Sequence, residues 1–270
     1  PLLLDLLQKR RPSTVVSLLK EAPTPHLELD LDALSLLGFQ LREQLEQQKA
    51  LVQQLQSLDL LPLASAVGDR RVVQRRHRAL PVAHRGSALE LDLWWPQGGQ
   101  QAQRWLLLSH GLGGSTAQME WLASALAARG WPVLAVQHPG SDDAAVRGLL
   151  EGRQTLPGLE TLPNRLQDLQ AVQAAVSDGR IGFGPHGSPS RLVLLGHSLG
   201  ALASLLWAGA EVEPGLAERC SQNLKRIPVL DSSFLLQCQL TELSLPELEP
   251  PAGLDAVVVL NSFGSLLWGE

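Results

Sequence analysis

Apolar residues follow two rhythms along this chain, and the change between them falls near residue 66. Before it, Leu36, Leu37, Leu41, Leu45, Leu51, Val52, Leu55 and Leu58 recur through a Gln-rich background. That spacing predicts one buried face on a helix of about six turns. LLLDLLQKR and RPSTVVSLLKEA predict shorter helices ahead of it, the second opened by Pro12 and Ser13. The stripe is too short for a coiled coil, and Gln48 interrupts it.

Beyond a short linker, RRVVQRRHRALPV and SALELDLWWP alternate, which predicts an antiparallel strand pair. The runs RWLLLSH, WPVLAVQHP, RLVLLGHS and AVVVLNSF are then short and continuously apolar. Between them lie the helical segments STAQMEWLASALAARG, NRLQDLQAVQAAV and LGALASLLWAGA. Apolar strands without alternation, joined by helices, predict a mostly parallel sheet covered on both faces. The expected division is a helical segment over 1–66 and an α/β domain over 67–270. Residues 179–190, rich in Gly, Pro and Ser, predict a loop. Residues 210–253 show little periodicity and read as an excursion between a helix and the last strand, either above the sheet edge where substrates enter or as a plain surface insertion.

Composition narrows this little. Apolar residues are 44% and charged residues 18% of 270, enough for one large core. A net charge of −5 gives no footprint for nucleic acid or an anionic membrane. The basic run RRVVQRRHR alternates and reads as an exposed edge strand. No apolar stretch reaches the roughly 18 residues of a transmembrane helix. Neither a metal-ligand cluster nor a dinucleotide fingerprint is present, so no metal or cofactor is expected. Two cysteines, Cys220 and Cys238, allow one bridge or two buried thiols. The chain starts at Pro1 with neither an initiator Met nor a leader pattern, as a processed or truncated start would.

The chemistry concentrates in GHSLG, residues 196–200, which matches G-x-S-x-G between a buried strand and a helix. In such an elbow the strained turn lifts the Ser198 hydroxyl clear of the backbone, ready to attack. Gly196 and Gly200 are expected where side chains would collide with the neighbouring helix and strand. Upstream, HGLGGS at 110–115 follows another strand directly. Acyl transfer places negative charge on a carbonyl oxygen, and two backbone N–H groups stabilise it. Leu199 would supply one at a helix start. Leu112 would supply the other, from a loop whose Gly111, Gly113 and Gly114 admit close approach.

Together SHGLGGS, LASALAARGWPVLAVQHPGSDD and GHSLGALASLLWAG resemble the α/β-hydrolase fold, over roughly residues 70–270. Within it they are most similar to the branch of dienelactone hydrolase-like proteins and platelet-activating-factor acetylhydrolases. The first 60 residues resemble the tail of a helical domain preceding some bacterial members, several of them exported. This resemblance implies a serine esterase or lipase-like hydrolase with a Ser, Asp and His triad, in an extracytoplasmic setting. It also suggests that Cys220 and Cys238 lie close enough to bridge.

No histidine follows Ser198 in the sequence. His197 adjoins the nucleophile and points away from it; His110 is expected to brace the loop; His138 is placed at the substrate rim, with substrate contact and a local structural role both open. His186 falls in a loop at the far end of the nucleophile strand. Asp142, Asp143 and Asp231 read as surface or capping residues rather than triad acids. In the acetylhydrolases the acid follows the sixth strand, about where Asn261 stands here. The triad acid and histidine are therefore expected beyond Glu270, the fold being cut after its sixth strand. Residues 1–270 alone are expected to be nearly inert toward esters, with an uncovered strand edge. Two functions follow: an ester hydrolase acting through an acyl-enzyme on Ser198, with short-acyl or lipid-like substrates, or a noncatalytic binding protein that keeps the elbow without a triad.

Overall fold

The computed structural model describes residues 71–98, 102–153, 157–184, 189–224, 232–262 and 264–268. Scattered positions between 32 and 54 are also described, and all of them are helical and exposed. The apolar stripe, the first two helices, the linker, His186 and Asp231 lie outside the described residues.

Among the described residues six strands form one mixed sheet: β1 (Val73–Leu80), β2 (Leu89–Pro96), β3 (Arg104–Ser109), β4 (Val133–Val136), β5 (Arg191–His197) and β6 (Leu254–Leu260). Their order across the sheet is β1-β2-β4-β3-β5-β6. β1 pairs antiparallel with β2, and β2 antiparallel with β4. The other four strands run parallel, as their unbroken apolar runs predict. β1 is the exposed edge expected from the basic run. Its Arg75 and Arg76 lie 5.3 and 5.2 Å over the rings of Trp94 and Trp95, spending long stems on aromatic surface. β2 is buried along nearly its whole length, because strands flank it on both sides.

Among the residues described from 71 onward the α-helices are α1 (Glu120–Ala128), α2 (Asp143–Leu150), α3 (Leu162–Ser177), α4 (Leu199–Trp207), α5 (Leu216–Leu224) and α6 (Ser232–Cys238). Strand side chains alternate between two cores, as the pleat requires. Trp105 and Leu107 of β3 join Leu194 of β5 and the apolar faces of α3 and α4. Leu106 and Leu108 join Val193, Leu195 and the Ala123 and Ala127 face of α1. At the opposite edge from β1, Val258, Val259 and Leu260 of β6 are 37–42% exposed.

The described parts of the excursion over 210–253 are more ordered than its weak periodicity suggests. α5 and α6 are too short to stand alone. They are joined by a Cys220–Cys238 disulfide with Cα atoms 5.7 Å apart, so the two cysteines bridge as expected. Arg219 donates to the carbonyls of Leu266 and Glu213, and Gln237 accepts from the Leu266 N–H. Gln239 accepts from Leu159, just ahead of α3. These anchors follow β6 or precede a helix running back toward β5, so the excursion lies at the carboxyl end of the sheet.

Candidate active site

Carboxyl ends of adjacent parallel strands are where open α/β sheets gather chemistry. Here β4, β3 and β5 end side by side, with Ser109 in register with Gly196. β5 passes through His197 into Ser198, and Leu199 begins α4. Ser198 has φ 51° and ψ −116°, a left-handed conformation that costs a non-glycine residue roughly 1–3 kcal/mol. Its N–H donates to Leu260 of β6 at 2.9 Å, and its carbonyl accepts from Leu202 at 3.1 Å.

The glycines flanking it are required by contact. A Cβ at Gly196 would lie 2.3 Å from the Gly200 carbonyl oxygen, and one at Gly200 would lie 2.1 Å from that of Ser109. Both obstacles are backbone and cannot yield without moving a strand or a helix. Across the gap, a Cβ at Gly111 would approach Ser198 Cβ to 3.1 Å and His197 Nδ1 to 2.9 Å. Gly113 serves differently, with φ +70° turning the loop past Val146.

The loop over 110–114 thus lies against Ser198. The N–H of Leu199 is the first of α4 and has no carbonyl a turn behind it. Among the described residues neither it nor the N–H of Leu112 has a hydrogen-bond partner. Two unpaired amides therefore lie in the two segments that meet at Ser198. The Ser198 hydroxyl makes no hydrogen bond among them either.

Of the histidines, His110 braces the loop as expected. Its Nδ1–H donates to the Gly111 carbonyl at 2.7 Å, and its Nε2 accepts from the His138 N–H at 3.1 Å. Burial, with Arg165 and His138 nearby, holds its pKa well below 6.5. His138 departs from the expected position at the substrate rim. It is wholly buried. Its Nδ1–H donates to Asp168 at 2.8 Å, and its Nε2 accepts from the Ser109 hydroxyl at 2.9 Å. Burial and the Arg165 charge lower its pKa to about 4, so it is neutral and both ring nitrogens are committed. The reason is topological: β4 lies inside the sheet, and α3 covers the residue that follows it. Ser109, His138 and Asp168 have the hydrogen-bond order of a triad, but Ser109 and His138 are sealed from solvent. Asp142 caps α2 by accepting from Ala145, and Asp143 pairs with Arg147. Asn261 follows β6, exposed and with φ 49°.

Pattern reading missed a pair on α3. Asp168 receives Arg85 through Nε and Nη2, both at 2.6 Å, and His84 at 2.7 Å. Although burial acts to raise its pKa, the hydrogen bonds from His138 and Arg85 hold it at about 2. Arg165, one turn earlier and equally buried, donates to the carbonyls of His110 and Gly111 and to Ser141. Both stand on the face of α3 that also buries Leu162, Leu166 and Leu169. Charged residues inside an apolar stripe were the available sign.

A cavity of about 270 Å³ lies elsewhere, lined by Leu166, Trp207 and Leu245 among others. Trp207 is at the far end of α4, about 12 Å along the helix from Leu199. That cavity does not include Ser198.

The sequence model described as the alpha/beta hydrolase family matches residues 106–267, from β3 to the segment after β6. Among solved structures, a ferulic acid esterase from Streptomyces cinnamoneus is 20% identical with a TM-score of 0.38, covering 52% of this chain and 56% of that one. A putative dienelactone hydrolase from Klebsiella pneumoniae is 16% identical with a TM-score of 0.39, covering 51% and 55%. A cold-adapted esterase from an Arctic intertidal metagenomic library is 24% identical with a TM-score of 0.36, covering 49% and 54%. The chain spans little more than half the length of each. No curated protein sequence matches it.

Proposed function

The chain belongs to the alpha/beta hydrolase family, and from that premise we propose that it is a serine hydrolase of carboxylic esters. Ser198 attacks the acyl carbonyl, the Leu112 and Leu199 N–H groups hold the oxyanion, and water releases the acyl-enzyme. The supporting observation is the strained Ser198 at the head of α4, followed by the unpaired Leu199 amide and packed against the loop that carries the unpaired Leu112 amide. Such donors, fixed before reaction, need no reorganisation as charge develops.

The proton acceptor is the remaining requirement. His110 and His138 have both nitrogens engaged, so the proposal takes its histidine and acid from outside the described residues. Small-molecule esters, short-acyl or lipid-like, are the substrate class, and the helical segment over 1–66 forms a unit ahead of the hydrolase domain. The Cys220–Cys238 bridge favours an oxidising compartment.

The missing imidazole contact also favours a second reading, a binding protein that retains the elbow without turnover. Full-length protein exposed to a fluorophosphonate probe and to nitrophenyl acetate separates the two. The hydrolase reading expects labelling at Ser198 and a loss of turnover of about 10⁵-fold or more in Ser198→Ala. Full-length protein that neither labels nor turns over an ester panel is the binding protein.

A further inference from the structure

We infer that Arg165 is a positioning residue for the oxyanion site, fixing the Gly111–Leu112 peptide so that the Leu112 N–H faces Ser198. The inference rests on the reading of Ser198 as nucleophile and adds a residue of α3 to that site.

The geometry begins with the planarity of the peptide bond. In a trans peptide the C=O and N–H point to opposite sides. Whatever holds the Gly111 carbonyl therefore aims the Leu112 N–H the other way. Three donors converge on that carbonyl oxygen: His110 Nδ1 at 2.7 Å, Arg165 Nη2 at 3.1 Å and Gly114 N at 3.2 Å. Two of them, His110 and Gly114, belong to the loop itself and would move with it. Arg165 does not: it stands on α3, packed into the core by Leu162, Leu166 and Leu169. Its Nη1 also donates to the preceding carbonyl, His110, at 2.6 Å. One guanidinium thus fixes two successive peptides, which a single-point contact would leave free to rotate.

The guanidinium is itself held. Its Nε donates to the Ser141 hydroxyl at 2.8 Å, and Ser141 offers its carbonyl to the Gly113 N–H at 2.8 Å, closing the loop from its other end. Among the described residues no carboxylate pairs with Arg165 directly, and its partners are neutral oxygens. A charge kept in the interior on neutral carbonyls is costly. A purely structural brace would be met as well by a neutral donor. A cation placed behind two amide planes polarises both, and strengthens the N–H on the far side as a donor to a developing oxyanion.

The test uses full-length protein. Arg165→Met removes the fork and the charge, whereas Arg165→Lys keeps the charge and one contact. In Arg165→Met, kcat for nitrophenyl acetate falls on the order of 10- to 100-fold with KM within about twofold, the scale of a displaced oxyanion donor. Arg165→Lys recovers part of that loss. The Leu112 amide resonance shifts in both variants while that of Leu199, on the elbow, stays in place. If neither variant folds, Ser141→Ala carries the test by freeing Nε alone, with a kcat loss of about 3- to 10-fold and the same Leu112 shift. Wild-type kcat in any folded Arg165 variant overturns the inference, as does a Leu112 resonance that stays where it was. If Ser198→Ala retains full turnover, the nucleophile reading itself has failed, a result the Arg165 variants cannot mimic.

Discussion

The elbow at Ser198 and the loop over 110–114 face one another from adjacent strands, yet they are held by different means. At the elbow, backbone packs against backbone: Gly196 touches the first turn of α4, and Gly200 touches the end of β3. The contacts are backbone on backbone, and residues 196–200 with the end of β3 supply almost all of them. The loop depends on residues far away in sequence. Its carbonyls are held by Arg165, more than fifty positions on, and it rests on His110 and His138. His138 leans in turn on Asp168, and Asp168 on Arg85. One half of the site is steric and local; the other is electrostatic and distributed. The first should therefore fail by crowding, the second by loss of charge.

Removing Asp168 should do most damage to this contrast. In Asp168→Ala the donors of Arg85, His84 and His138 lose their common acceptor inside the protein. Breaking a buried charge pair from one side costs about 3–5 kcal/mol. Urea unfolding of the variant should show that loss, and a change below about 1 kcal/mol would mean the cluster is dispensable. Gly200→Ala attacks the other half. The new Cβ meets the Ser109 carbonyl at 2.1 Å, and crowding of this kind costs up to about 3 kcal/mol. That loss should be the same at pH 5 and pH 8, and a strong pH dependence would show that the two halves are not separable.

Of the two halves, acid should act on the loop. His138 has its pKa lowered by burial and Arg165 from 6.5 to about 4. The unfolded chain therefore takes up its proton first. The stability contributed by neutral His138 is complete above about 6.5 and declines as pH falls toward 4, by on the order of 3 kcal/mol. Asp168 extends the same trend from its ordinary 3.8 down to about 2. Denaturation midpoints should hold level from pH 8 to about 6.5 and fall from there to pH 4, and a flat profile throughout would contradict a neutral His138 core. The smallest effect belongs to Arg147, whose exposed pairing with Asp143 on α2 touches neither half. Arg147→Ala should change stability by no more than about 0.5 kcal/mol in the same assay.

How much of this was legible in the sequence follows the same division. Five consecutive residues with a strand before and a helix after them are enough to place Ser198, because every constraint on an elbow is a near neighbour. HGLGGS was legible for the same reason, and so was the sheet, whose alternating and unbroken runs match β1 and β2 on one side and β3 to β6 on the other. His138 was misplaced because its position after a strand says nothing of what covers it. Arg165 and Asp168 looked like ordinary polar positions in NRLQDLQAVQAAV until helical spacing set them on the same face as Leu162, Leu166 and Leu169.

The sequence by itself determined the order of elements, the conformation demanded at Ser198 and the two glycines that allow it. These are short-range matters, settled by sterics within a few residues. Only the tertiary structure decided which charges are buried, which histidines are sealed in and which amides remain unpaired beside Ser198. Those depend on the environment each group meets after α3 closes over β4, and burial of a charge is a property of that environment rather than of the residue.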